Sequence, residues 1–481
     1  MLRTARNHPL ALIVFAALVL RAYPWFLPHT LLGVMEVDDG VYYGASRMLL
    51  AGHLPYADFT IVHPPVTSIL LLPFAALGAL VGDPYGLAAA RLTMAGVAVA
   101  NVLLVHRLAT TVTPRRAWAL AAAAGYAVMP DAVIAEHTLL LEPVVNLFCL
   151  SAVLLLVRNR PFLAGALFAV AGGVKVFAAA YVLAVLAWLV LSHRQHLLRP
   201  LLAGLATAGF ILIGPFFAAA PSAFWLDVVT TQGSRPNDNT HGGLVRMLDE
   251  VVPHAVALTA LIALIGLVLL FARAFERRHP QSWVTLWIVV TGAGVIAFAN
   301  SPSYFPHYGA FLIPPVMVLL AHPRVPGLLL GALLLVWTGA SVHDVVTTRG
   351  QGDLAAAGRL VPDNACVWSE GLSLSIAADV LRLPDATCPG WIDGRGVNLT
   401  WNTDWPHTKE YYPSAGFVQS ERWQREIRSQ LTHASYLLLS STPDRIDEWT
   451  PLTQAFARER FRPIWQQSSG RVHAVLLERI S

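Results

Sequence analysis

Apolar runs of about 18 to 22 residues recur along the chain, beginning with Pro9 to Leu27, and as helix each is long enough to cross roughly 30 Å of hydrocarbon. Charge is too scarce for any other arrangement. Of 481 residues, 13% are charged and 56% hydrophobic, about half the charged share of an average soluble domain, and so little charge cannot coat a water-exposed surface of this size. The basic stretch Met1 to His8 ahead of Leu10 to Leu20 has the order of a secretory signal, but Arg21, Tyr23, Pro24 and Trp25 form no small-residue cleavage site. The run is read as a retained first span. A net charge of +4, with Lys and Arg in short loops between spans, makes the bilayer the partner and excludes nucleic acid.

Short basic loops orient the spans, because Lys and Arg near span ends stay cytoplasmic. His106 to Arg116, Arg158 to Arg160, His193 to Arg199 and Arg273 to Arg278 stand out, with His322 to Pro326 weaker and the N-terminus on the same side. An even number of crossings must separate any two of them. Spans therefore fall at Leu87 to Val105, Ala117 to Val128, Leu139 to Val157, Leu201 to Phe217, Ala255 to Phe271, Trp283 to Ala299, Gly309 to Ala321 and Leu328 to Val342. Phe162 to Leu191 is too long for one span and is interrupted by Gly172, Gly173 and Lys175, so parity makes it two short helices meeting near the lysine. Pro64 to Val81 is placed as a helix in the outer interface. About eleven crossings result, in a plasma-membrane protein with a cytoplasmic N-terminus, and the long loops Pro28 to His63, Ala220 to Pro253 and Asn300 to Tyr308 gather outside.

Residues 1–343 thus form a transmembrane domain, with residues 28–65 as its first outer loop, and residues 344–481 a small extracytoplasmic α/β domain. In the latter, Ala365 to Glu370, Ser435 to Leu439 and Val472 to Leu477 read as buried strands, and Ser420 to Leu431 and Asp447 to Phe461 have helical spacing. Cys366 and Cys388 can pair if this part is outside, while Cys149 sits in an apolar run.

The first outer loop reads Met35-Glu36-Val37-Asp38-Asp39-Gly40-Val41-Tyr42-Tyr43, then Gly52-His53-Leu54-Pro55-Tyr56-Ala57-Asp58-Phe59 and His63-Pro64-Pro65. Carboxylates crowded beside a membrane are costly unless solvated or employed. A pair such as Asp38 and Asp39 suits general-base work, since like charge and partial burial raise one pKa. A hydrated loop with a capping aspartate is the alternative.

Asp38-Asp39-Gly40-Val41-Tyr42, followed by Arg47, Gly52, Pro55-Tyr56, Asp58 and His63-Pro64-Pro65, resembles the first outer loop of integral-membrane glycosyltransferases of the GT-C fold. These include the protein mannosyltransferases, the lipid A aminoarabinose transferases and actinobacterial mannosyl- and arabinosyltransferases. The resemblance extends over the order of elements, from acidic loop and Pro-Pro helix to many spans and an outer C-terminal domain. It implies that the first acidic residue of the pair, four before a Tyr, activates the acceptor, which matches Asp38 with Tyr42 following. Asp39 stands where many relatives have Glu and remains the alternative base.

The same resemblance implies cations for a departing phosphate, where negative charge develops. Lys175 at the helix junction is the first choice, a snorkelling lysine being the alternative. His63, before Pro-Pro, and Arg91, at the outer start of a span, are further candidates. Glu142, flanked by Glu136 and His137, is a second carboxylate expected at the same cavity, or else an acidic helix start. Ser303-Tyr304-Phe305-Pro306-His307-Tyr308 is similar to an Arg-Tyr-Phe-x-Pro loop of these families, with Ser303 in the place of Arg, leaving Tyr304 and His307 as sugar or phosphate contacts or as part of an aromatic belt. In the polar stretch Gln232 to Gly243, Arg235 and His241 are candidate substrate contacts, an ordinary linker being the plainer reading.

The implied activity is inverting transfer of a monosaccharide from a polyprenyl-phosphate carrier to a cell-envelope glycan, lipid or protein at the outer face. No metal is obligatory for a monophosphate leaving group, although paired aspartates leave room for a divalent cation. A flippase of lipid-linked sugars, or an oligosaccharyltransferase or ligase on the same fold, is the rival reading. Ala-, Val- and Arg-rich composition suits a high-GC bacterium, where mannose and arabinose lipid donors are the natural candidates.

Overall fold

A computed structural model describes residues 8–235, 282–401, 418–469 and 472–480. His241, the expected span Ala255 to Phe271 and the basic loop Arg273 to Arg278 lie outside the described residues. The first helices in chain order are α1 (His8–Ala22), α2 (Val37–Leu50), α3 (Val66–Leu70), α4 (Leu72–Val81), α5 (Asp83–Ala109) and α6 (Arg116–Val128). They continue with α7 (Pro130–Glu136), α8 (Glu142–Val157), α9 (Pro161–Val174), α10 (Ala178–Leu191) and α11 (Leu198–Leu212). The described residues gather into two compact units, one of residues 8–23, 93–214 and 282–347, the other of residues 24–92, 215–235 and 348–480 less the gaps.

The first unit is helical throughout, and its helices are interrupted where the sequence interrupts them. Pro130 has no backbone N–H and forces Met129 into an extended conformation, so α6 and α7 meet at a 58° bend. Lys175 is extended as well, at φ −152° and ψ 136°, and separates α9 from α10, the junction the sequence indicates. Against about eleven expected crossings, the described residues hold 3 helices long and apolar enough to span a membrane, or up to 4 if the bent pair is one span. Other apolar helices there have 10–17 residues. Unbroken hydropathy in the sequence thus conceals backbone breaks at proline, glycine and Lys175.

Helices α9 and α11 touch through glycine. A Cβ on Gly165 would collide with the Leu201 carbonyl and one on Gly204 with that of Phe162, so only glycine permits this approach. Close packing of this kind replaces the hydrophobic drive that lipid does not provide. Elsewhere in the unit Arg21 and Glu136, both fully buried, form an ion pair: Nε and Nη2 lie 2.8 and 2.7 Å from Glu136 Oε2. Tyr126 Oη (2.6 Å) and Asn101 Nδ2 (3.1 Å) donate to Glu136 Oε1, and Arg21 Nη1 donates to the Ala127 carbonyl. This network joins α1, α5, α6 and α7.

The second unit contains a four-stranded sheet of β1 (Val367–Ser369), β2 (Tyr436–Leu439), β3 (Phe461–Ser469) and β4 (Val472–Arg479), in the order β1-β2-β4-β3. β1 and β2 are parallel and the other pairs antiparallel. Both faces of β2 and β4 are covered. Leu437, Leu439, Val475 and Leu477 pack with Trp368, Trp423 and Ile427, whereas Leu438, Ala474 and Leu476 pack with Leu354 and Leu374. Cys366 and Cys388 form a disulfide with Cα atoms 5.3 Å apart, and Cys149 is free and buried.

Three local expectations need correction. The acidic segment is a helix rather than a loop, because Tyr42, Tyr43, Ala45, Ser46 and Met48 bury one side of α2. The stretch Pro64 to Val81 breaks at Leu71, where Pro73 opens α4, and α4 turns Leu77, Leu80 and Val81 outward. The helix expected over Asp447 to Phe461 is shorter, Pro451–Arg460, and β3 follows it unforeseen. As an edge strand β3 tolerates Pro463 and polar residues that argue against a strand in sequence.

Replacing Glu136 by Ala leaves the Arg21 guanidinium buried and unpaired, a loss of about 3–5 kcal/mol. Thermal melting of the purified protein checks this, and an unchanged midpoint contradicts it.

Candidate active site

In the second unit the site is built on the first turns of α2. Glu36 caps the helix, its carboxylate accepting from Val37 N at 2.9 Å, and Asp38 and Asp39 follow at the positive end of the helix dipole. Consecutive helical residues diverge by about 100°, so the two aspartates face different surroundings. Asp39 is fully buried and its Oδ2 is held by Arg91 Nε and Nη2 at 2.8 and 2.7 Å. Arg91 in turn donates through Nη1 to the carbonyls of Leu31 (2.7 Å) and Gly33 (2.8 Å). Arg91, a candidate phosphate contact in sequence, is therefore buried in a structural pair. Asp38 is part-exposed, and Tyr42 Oη, one turn on, donates to its Oδ2 at 3.2 Å.

The Tyr42 ring meets the His63 ring edge-on, with centroids 5.2 Å apart. The back of α2 is fixed by Tyr43, whose hydroxyl enters the gap between Gly78 and Gly86 and donates to Asp83 Oδ1 at 2.8 Å. Arg47 Nε lies 2.8 Å from the same oxygen. Burial, with Asp83 beside it, holds the Tyr43 phenol far above its ordinary pKa, so it stays protonated and keeps the proton it donates to Asp83. Two carboxyls without any sequence signal also belong here. Asp393 is buried, and burial first, with Asp38 adding to it, raises its pKa. Asp227 is 3% exposed and burial pushes it up to about 7. Arg235, half-buried, acts electrostatically on Asp393.

The first unit brings together three other residues chosen from sequence. Lys175 Nζ lies 2.5 Å from Glu142 Oε1, and His307 Nε2 is 3.9 Å from the same oxygen. The ammonium also sits 4.5 Å from the Tyr308 ring centroid and 5.0 Å from that of Phe177. Glu142 is at the N-terminus of α8, and Asn146, one turn along, donates to the Ala310 carbonyl at 2.8 Å. Tyr304 is buried nearby in an aromatic cluster, 5.6 Å from Phe298 and 6.0 Å from Tyr308 between centroids. An anion arriving at Lys175 competes with a carboxylate already bound there. Among the described residues, no group of 3 or more His, Cys, Asp or Glu is arranged to hold a metal ion.

Comparison with known proteins gives the class: a membrane glycosyltransferase with the GT-C fold. Residues 59–302, about half the sequence, match the model of glycosyltransferase family 87, and the chain belongs to that family. Among curated proteins there is no sequence match. Two crystal structures of ArnT from Cupriavidus metallidurans are similar over 99% of this chain and 98% of theirs at 14% identity, with TM-scores of 0.59 bound to undecaprenyl phosphate and 0.61 in the apo state. The oligosaccharyltransferase of Archaeoglobus fulgidus, in complex with Zn and sulfate, has a TM-score of 0.56 at 14% identity, over 96% of this chain and 72% of that one. The protein is thus a glycosyltransferase, and its GT-C resemblance in sequence is matched by its fold.

Asp39→Asn breaks a buried pair and lowers stability by about 3–5 kcal/mol, whereas Asp38→Asn changes it by no more than about 0.5 kcal/mol. Melting curves of the two variants test the distinction, and equal midpoints refute it.

Proposed function

We propose that the protein is an inverting glycosyltransferase that moves a monosaccharide from a polyprenyl-phosphate carrier to a hydroxyl of a cell-envelope glycan, lipid or protein. The observation that carries this reading is the split between the paired aspartates: Arg91 neutralises buried Asp39, and Asp38 remains part-exposed with Tyr42 orienting it. Undecaprenyl phosphate bound to ArnT and dolichol-phosphate in the Archaeoglobus enzyme support the carrier class.

In this scheme Asp38 takes the proton of the acceptor hydroxyl, and the oxygen attacks the anomeric carbon from the face opposite the phosphate. The bond from that carbon to the phosphate oxygen breaks, and its electron pair leaves with polyprenyl phosphate. That anion needs positive charge beside it as it forms. A phosphate monoester needs no metal to leave, and a divalent cation is an addition that chelation in the same assay tests. The proposed topology keeps about eleven crossings, the N-terminus cytoplasmic, and residues 28–65 and 344–481 outside, where the Cys366–Cys388 disulfide is stable.

Transfer of radiolabelled sugar from polyprenyl-phosphate donors into membranes is expected to fall about 10²–10⁴-fold in Asp38→Asn at equal expression. Equal transfer removes Asp38 from the role, and donor movement across vesicles without a covalent product favours a flippase. Topology is tested by thiol labelling of Asp58→Cys and Arg115→Cys, both positions being exposed: the first reacts from outside and the second does not, and the reverse pattern overturns the orientation.

A further inference from the structure

The segment Ile61–Val62–His63 is held by four side chains. Asp393 Oδ2 accepts from Val62 N at 3.3 Å, and Ile61 N–H donates to the Asp227 carboxyl. Gln232 Nε2 donates to the Val62 carbonyl at 2.9 Å, and Tyr56 Oη to that of His63 at 2.6 Å. Asp393 is itself fixed, since its Oδ1 accepts from Gly396 N at 2.7 Å. Two buried carboxyls side by side are a costly way to satisfy two backbone amides, and groups retained at such a cost concentrate where function needs them. Nothing in the packing of Ile61 and Val62, both buried, requires acids. Asp227 Oδ2 is buried and finds no hydrogen-bond partner among the described residues.

We propose that Asp227 and Asp393 are positioning residues of the transfer reaction: they fix Ile61–His63 and, through the His63 and Tyr42 rings, the direction in which Asp38 meets the acceptor hydroxyl. The inference rests on Asp38 being the base. Neither carboxyl is given a proton-transfer role; each acts through the segment it holds.

The arrangement also carries a pH dependence. Asp227 is faced by Asp393 and Tyr56, Asp393 by Asp38 and Arg235, and His63 lies on the clamped segment. Burial first, then the charge of Asp393, pushes Asp227 up to about 7 against the Ile61 hydrogen bond. Below that pH it is neutral beside Asp393, and above it the two carboxylates repel and the clamp loosens. Since the folded state holds a proton that the unfolded state releases, stability conferred by neutral Asp227 is lost as pH rises from about 4 to about 7 and then levels off.

The test uses the full chain in lipid nanodiscs with a polyprenyl-phosphate sugar donor, measuring kcat and KM from about pH 6 to pH 9 together with melting midpoints. Asp393→Asn is expected to lower kcat roughly tenfold with KM within about twofold. Asp227→Asn is expected to keep the wild-type kcat at the acid end within about twofold, to remove the decline above pH 7, and to melt above wild type from about pH 6 upward, by a margin that grows until about pH 7 and is constant above it. Wild-type kcat and an unaltered pH profile in both variants overturn the proposal, as does a kcat loss that merely follows the folded fraction. If Asp38→Asn is inactive while both variants behave as wild type, this inference alone falls. Full transfer by Asp38→Asn removes the base assignment and this inference with it.

Discussion

A charge taken out of water must find an opposite charge, and this requirement organises the interior of both units. Arg21 is answered by Glu136, Arg91 by Asp39 and Lys175 by Glu142, each pair at hydrogen-bonding distance and almost wholly buried. The first two fasten secondary elements far apart in sequence. In the third, a lysine at a helix break meets a glutamate at a helix start, where the interrupted backbone already lacks regular hydrogen bonds.

The same requirement separates two chemically identical neighbours. Asp38 and Asp39 follow one another in one helical turn, yet one faces an arginine in the interior and the other a tyrosine at the part-exposed edge. A carboxylate neutralised by a buried guanidinium makes a poor base, whereas a part-exposed one beside a phenolic hydroxyl can be reached by an acceptor hydroxyl. The helix makes this division, because 100° of rotation between successive residues sends them in different directions.

The candidate site residues were legible in sequence to different degrees, for reasons that differ by residue. Lys175 was marked as a charge beside Gly172 and Gly173 in an apolar run, and the helix ends just before it, at Val174. Glu142 was expected at the cavity of Lys175 and His307 stood out in the loop Ser303 to Tyr308, and the fold brought both to the same lysine. Arg91 looked like a ligand contact because it opens a span on the outer side, and only the fold showed its carboxylate partner. Asp227 and Asp393 gave no signal, since lone aspartates in polar stretches are common and their significance lies in the amides of Ile61 and Val62.

By itself the sequence determined the solvent and the class: apolar runs of membrane-spanning length admit few other environments, and the order of acidic segment, Pro-Pro and spans fits the GT-C fold of glycosyltransferase family 87. It also indicated the break at Lys175, whereas those at Leu71 and Pro130 emerged only in the structure. Only the tertiary structure decided which charges are paired, which aspartate is part-exposed, and that a polar stretch with a proline forms the edge strand β3. Those outcomes depend on contacts between residues tens to hundreds of positions apart, and hydropathy or spacing along a chain carries no record of them.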